Sequence, residues 1–400
     1  MTQRERFWRW ANYETPTDLP AWGDWLGPYE FWLRQGLPPM PARYKTMEDG
    51  QSQYFLDLFG HEGKYSAYWG TSRVPVNLAV CPAYPVEILE ESGEHVVLRA
   101  ANGVVCKQMR RPNSTLIATE YLEHPLRGPE NWEQFKAERL NPHEPTRYPS
   151  PAQWEALKRR WGGDRDFIIT VDAGSFYGHV RDWMGVENAS YALYDEPEWM
   201  EEVMDYLADF YIEVLKPAVR DFDIDVGLFW EDICYKNGPL LSPDMFRRFC
   251  LKPYQKVTRF LRENGVSLCF VDCDGNIDQL VPLWLEGGVR GFYPLERASG
   301  MDARALLTQY QKDYILLWGN VDKREIARGR EAIDRELDRL APAVAMGGFI
   351  PLIDHGVPED IAYEHYCYYN QRRMERFHIR RIPRREDPNG APITPKGDAE

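Results

Sequence analysis

Two segments of this 400-residue chain put chemistry-bearing side chains at the end of an apolar run. The first is Phe270-Val271-Asp272-Cys273-Asp274-Gly275-Asn276, with two carboxylates, a thiol and an amide in five residues. The second ends Pro351-Leu352-Ile353 in Asp354-His355-Gly356. Charge at the end of an apolar strand is costly unless it has partners or work to do. If the first strand runs on, Asp272 and Asp274 point to one side and Cys273 to the other. Neighbouring carboxylates repel and require a metal, a basic ligand, a shared proton or solvent. With His355 they form an O,O,N ligand set suited to a divalent cation such as zinc, two ligands close together and one distant, as in catalytic sites. The alternatives are a turn at Asp272 and Asp274, with Asp274 capping ahead of Gly275, a structural His355, and Cys273 as a buried spectator.

Other polar residues follow other apolar runs. Asp172 comes after Val171, and Glu231 and Asp232 after Trp230. Of the last two, one is expected to enter a site and the other to cap a loop. Glu296 reads as an inward carboxylate two residues past Pro294. Asn320 and Asp322, in Gly319-Asn320-Val321-Asp322, would hold a ligand or cap the next helix. His61, His95, His124, His143 and His365 read as surface groups, and the arginines from Arg372 to Arg385 as solvation of a helix end.

These residues need a scaffold that gathers many strand ends. Apolar runs at Phe167–Val171, Val226–Trp230, Ser267–Val271, Gly291–Tyr293, Tyr314–Trp318 and Gly348–Ile353 alternate with helical patterns near 197–216, 243–264, 277–286, 302–311, 323–341 and 359–373. That alternation predicts parallel strands joined by crossover helices. Neither G-x-G-x-x-G nor GxxxxGK[ST] is present. Polar groups after nearly every strand favour a closed (β/α)8 TIM barrel, with its site at the C-terminal face, over an open sheet with one crevice. The expected division is 1–155, an N-terminal elaboration with early barrel elements and a hairpin around Ala100-Ala101-Asn102-Gly103, then 156–378, the main part of the barrel, then 379–400, a flexible tail.

Composition narrows the function. A formal net charge of −14 opposes nucleic-acid binding. No apolar run is long enough for a membrane span, and the charged, aromatic start is unlike a secretory signal, so a cytoplasmic protein is expected. Seven scattered cysteines without a C-x-x-C pair suggest reduced thiols. Trp8, Trp10, Trp22, Trp25 and Trp32 crowd the N-terminal region. They either pack a core layer or wall a pocket for a planar ligand.

Gly319 to Asp322, Asp274-Gly275-Asn276 and the stretch from Leu295-Glu296 to Met301-Asp302 resemble the uroporphyrinogen decarboxylase superfamily, over about residues 160–375. The resemblance implies a (β/α)8 barrel. The superfamily includes cobalamin-dependent methyltransferases, in which a His-x-Cys pair and a later cysteine hold zinc. Here those positions fall on Asp272, Asp274 and His355, so every thiolate is replaced and a thiol acceptor is disfavoured. The decarboxylase branch's arginine-rich motif is reduced to Arg34-Gln35, and a ring of carboxylates would repel a polyanionic tetrapyrrole.

The resemblance therefore implies a methyltransferase moving a methyl group from an aryl methyl ether or methylamine to a corrinoid carrier protein that supplies cobalamin. Asp272, Asp274 and His355 would hold zinc or another divalent metal. Glu231, Asp232, Glu296 and Asp322 would be the catalytic candidates, and Asn276 and Asn320 the cofactor-binding ones. The alternatives are a metal-free decarboxylase or lyase of the same superfamily, and a non-catalytic corrinoid or tetrapyrrole binder. The assembly is left open, a homodimer included.

Overall fold

A computed structural model describes residues 1–15, 18–46, 50–64, 72–109 and 119–382. Its centre is a seven-stranded, all-parallel sheet: β1 (Arg73–Val74), β2 (Thr170–Gly174), β3 (Val226–Trp230), β4 (Leu268–Asp272), β5 (Gly291–Leu295), β6 (Leu316–Val321) and β7 (Phe349–Ile353). Every strand lies beside its neighbour in the sequence. An open doubly wound sheet reverses its order at a switch point. This one never does, so it winds in one direction as a (β/α)8 barrel does.

Crossover helices follow the strands: α1 (Tyr177–Met184) and α2 (Pro197–Asp221) after β2, α3 (Lys252–Glu263) after β3, α4 (Val281–Glu286) after β4, α5 (Ala303–Tyr310) after β5, α6 (Arg330–Met346) after β6 and α7 (Tyr363–Arg376) after β7. The helix expected over 243–264 is continuous but not uniform. Ser242 caps its start by accepting from Met245 N (3.2 Å), and a π turn at Arg247–Leu251 precedes α3. Pro253 has no N–H for the regular ladder there, which suits a widened turn. The helix expected over 323–341 is two helices, Lys323–Ala327 and α6, parted at Gly329, whose φ is +95°.

The segment Trp22–Leu26 continues the ring past β7. Ile353 N donates to Asp24 Oδ1 (2.7 Å), Val357 N donates to Trp25 O (2.8 Å), and Trp22–Gly23 pairs in parallel with Gly63–Lys64. Arg373 on α7 fastens this closure, donating to Trp22 O (2.9 Å) and Pro351 O (3.1 Å). It is fully buried, which corrects its assignment to solvation of a helix end. The buried Asp24 carboxylate needs a countercharge, and Arg373 supplies it. Arg384 and Arg385, like residues 383–400 of the expected tail, lie outside the described residues.

Aromatic side chains fill the interior. Trp318 of β6 stacks on Tyr293 of β5 (4.1 Å between centroids) and meets Phe270 of β4 edge-on (4.7 Å). Trp10, Trp22 and Trp32 are buried in the core, while Trp25 faces a cavity. The expected hairpin forms strands His95–Arg99 and Val105–Met109 of a separate four-stranded antiparallel sheet.

Two strands start later than expected. β2 begins at Thr170 because Ile169 N is held by the buried Asp225 carboxylate (2.8 Å), so Asp172 lies within the strand. β6 begins after a turn in which Tyr314 has φ +54°, and it runs on through Asn320. Among the described residues no helix is long and apolar enough to cross a membrane.

Candidate active site

The strands end around a cavity of about 820 Å³ whose walls include Trp25, Asp172, Trp230, Asp272, Asp274 and His355. Asp272 closes β4, and its carboxyl, which lines the cavity, has no hydrogen-bond partner among the described residues. Burial raises its pKa well above the ordinary carboxylate value, and the negative charges of Asp274 and Asp232 raise it further. Asp274 is pushed up to about 7, by burial first and then by Glu296 and Asp232, against the pull of Lys323 and Arg181. Two adjacent carboxyls are thus both held above the ordinary carboxylate range.

Asp274 Oδ2 lies 3.5 Å from His355 Nε2, and the His355 ring packs against Trp25 (5.1 Å between centroids). The His355 backbone has φ +84°, a region uncommon outside glycine though histidine enters it more readily than most side chains. Burial, and then Lys323, lower the imidazole pKa. The proposed metal ligands are thus brought together only as a pair. Among the described residues no group of three or more His, Cys, Asp or Glu side chains is placed to hold a metal ion. The Asp272–Asp274–His355 set does not fit a three-ligand site in this conformation.

The remaining candidates separate into supports and cavity walls. Glu231 is buried under the start of α1, accepting from Phe176 N (2.7 Å), Gly178 N (2.8 Å), Tyr254 Oη (2.9 Å) and Ser175 Oγ (3.2 Å). Burial raises its pKa to about 7 while these donors pull it back. Its role is to anchor the β2–α1 loop. Asp232 faces the cavity, paired with Arg181, whose guanidinium also lies over Trp230 (5.6 Å). Glu296 accepts from Gly275 N (2.9 Å) and Ser299 Oγ (3.2 Å), tying the β4 and β5 loops together.

Asp322 caps the helix at Lys323, accepting from Arg324 N (2.9 Å) and ion-pairing with its guanidinium (2.6 Å). Asn320 is fully buried, with its amide committed to Leu295 O (3.0 Å), Met301 O (2.9 Å) and Ala303 N (3.2 Å). Asn276 donates to Ser299 O (3.0 Å) and accepts from Asp278 N (3.2 Å). These three side chains brace the loops, and the short reach of an amide or carboxylate to nearby backbone is enough to explain them. Asp354 does the same, accepting from Arg297 N (2.7 Å). Cys273 is buried, and burial raises its thiol pKa well above the ordinary value.

Sequence reasoning missed three groups. Arg73 of β1 pairs with Asp172 across the cavity wall. His179, in the first turn of α1, lines the cavity with its Nδ1 2.8 Å from Tyr211 Oη. His61, expected at the surface, is buried with its Nε2 2.7 Å from Asn370 Oδ1. Burial lowers the pKa of His61 to about 3 and that of His179 to about 4. A Ser-Phe-Tyr-Gly turn after a strand end offered a weak signal for His179. Nothing local marks His61, because its partner is 309 residues away in the chain.

A barrel that carries its polar groups at the C-terminal ends of the strands defines an enzyme-like architecture, and comparison with known proteins gives it relatives. Residues 179–369, a little under half of the chain, match the uroporphyrinogen decarboxylase (URO-D) family. Among solved structures, a methyltransferase from Methanosarcina mazei is similar, at 16% identity and a TM-score of 0.58, covering 94% of this chain and 99% of its own. At that identity the likeness is one of fold. No curated protein matches the sequence.

Proposed function

We propose that the chain is a methyltransferase-like enzyme that takes a methyl group from a small methylated substrate of the aryl methyl ether or methylamine type. The observation that carries this reading is Asp272, a carboxyl at the wall of a cavity with no hydrogen-bond partner among the described residues, whose pKa is raised by burial. Cleaving a methyl–heteroatom bond leaves its electron pair on the heteroatom. A proton delivered there makes the leaving group neutral, which is general-acid catalysis.

In the proposed step the methyl–heteroatom bond breaks and the methyl group passes to an acceptor. The Asp272 O–H proton moves to the heteroatom, leaving a carboxylate. The acceptor is proposed to be cobalamin on a corrinoid carrier protein, whose reduced cobalt would supply the nucleophile. Asp274 raises the proton affinity of Asp272 by its proximity. Trp25 and Trp230 provide apolar faces for a substrate. The step assigns Asp272 the role of acid and not of metal ligand.

The test follows methylcobalamin formation from reduced cobalamin with a panel of aryl methyl ethers and methylamines. Asp272→Asn should lower the rate by about 100-fold or more, the usual contribution of a general acid. An undiminished rate in the variant, or no transfer from any member of the panel, would overturn the reading.

A further inference from the structure

The polar contacts of His179 fix which of its ring nitrogens carries the proton. Tyr211 Oη lies within hydrogen-bond distance of both Ser175 O and His179 Nδ1. Ser175 O is a carbonyl and can only accept, so the single Tyr211 hydroxyl proton goes to it. Tyr211 Oη is then an acceptor toward the ring, and Nδ1 must be the nitrogen that bears hydrogen. Nε2 is left with a lone pair. It has no partner among the described residues and is not sealed from space, and His179 lines the cavity. Stacking on Trp183 (5.2 Å between centroids) and the approach of Trp230 (6.4 Å) hold the ring plane. Burial keeps the imidazole neutral above about pH 4, so Nε2 stays an acceptor.

We propose that His179 is a specificity-determining residue whose Nε2 accepts a hydrogen bond from a hydroxyl group of the methylated substrate. This deepens the function proposed above and relies on it only for the methyl group. Most other polar groups at the cavity wall already have partners: Arg73 pairs with Asp172, Arg181 with Asp232, and Glu231 with four donors. His179 presents an acceptor of fixed direction close to Trp230, which is 37% exposed. A flat ring lying on that indole could place a hydroxyl toward Nε2. A substrate lacking the donor would leave the lone pair desolvated and unmatched.

Two measurements test this. The first is the 15N NMR spectrum of the full chain with labelled histidines, His179 being assigned by its absence from His179→Phe. The expected spectrum shows hydrogen on Nδ1 and none on Nε2, and the reverse tautomer would overturn the proposal. The second is calorimetric binding of 2-methoxyphenol and methoxybenzene, which share the methyl ether and differ in the hydroxyl. Wild type should bind the phenol about tenfold more tightly, the scale of one hydrogen bond. In His179→Phe, which keeps an aromatic ring in the stack, the ratio should fall to within about twofold. Equal affinities in wild type, a preference that survives in the variant, or no binding of either probe would each overturn it. Should the variant not fold, the wild-type affinity ratio decides. Methyl transfer without hydroxyl preference would defeat this proposal alone. Preference with the expected tautomer but no transfer would defeat the functional reading alone.

Discussion

Asp272 and Asp274 show how one pair of neighbours divides a task. Both are held above the ordinary carboxylate pKa mainly by burial, with Asp274 raising the proton affinity of Asp272 and Glu296 that of Asp274. If Asp272 acts as the acid, the active form is the protonated one. The rate should then be level at low pH and fall as pH rises through the raised pKa of Asp272, well above the ordinary carboxylate range. Asp274→Asn removes one of the two negative charges acting on Asp272, so the falling limb should move to lower pH in a pH–rate profile. A limb that stays in place would separate the two carboxyls. Glu231 lies at the opposite extreme, since four donors converge on a carboxylate that is 1% exposed. Glu231→Ala strands two backbone amides and two hydroxyls and should cost about 3 kcal/mol of stability, read from the denaturant midpoint. A loss under about 1 kcal/mol would mean that water satisfies those donors.

Among the elements, the segment Trp22–Leu26 matters most to the site because it carries Trp25 into the cavity and joins the edge of β7. Its hold is Arg373, which reaches Trp22 O and Pro351 O at once and faces Asp24. Replacing that arginine with methionine leaves Asp24 as an uncompensated buried charge. Arg373→Met should cost about 3–5 kcal/mol by thermal or chemical unfolding. Asp24→Asn in the same chain should recover part of the loss, a coupling that two independent sites would not show. None of this was legible in the sequence. Arg373 stands in a run of basic residues that reads as surface, and its partner Trp22 is 351 residues away in the chain. The strands were legible where apolar runs were bounded by charge, as at Val226–Trp230. They slid where a distant group set the boundary, as Asp225 does for Ile169 N.

The barrel as a whole turns strand ends from separate parts of the chain into one cavity, and it also sorts the acidic residues gathered there. Asp232, Asp272, Asp274 and Glu231 all line the space, but Glu231, like Glu296, Asp322 and Asp354 behind the wall, is spent on backbone amides and side-chain donors. Because Asp274 and His355 meet without a third ligand, dialysis against a chelator should leave methyl transfer within about twofold of the untreated enzyme. Loss on chelation with recovery on adding zinc would instead restore the three-ligand site of Asp272, Asp274 and His355, reached by a conformational change.

By itself the sequence determined the class of fold, because the alternation of apolar runs with amphipathic helices is a local property set by periodicity and burial. It also singled out the end of β4 as a candidate site, since two carboxylates beside an apolar strand are costly wherever they lie. The tertiary structure alone decided what each polar residue does. Whether a carboxylate is a cap, a brace or an acid depends on the donors that reach it, and those donors come from other strands. For Asp272 no donor arrives from among the described residues, and that is what makes it the candidate acid.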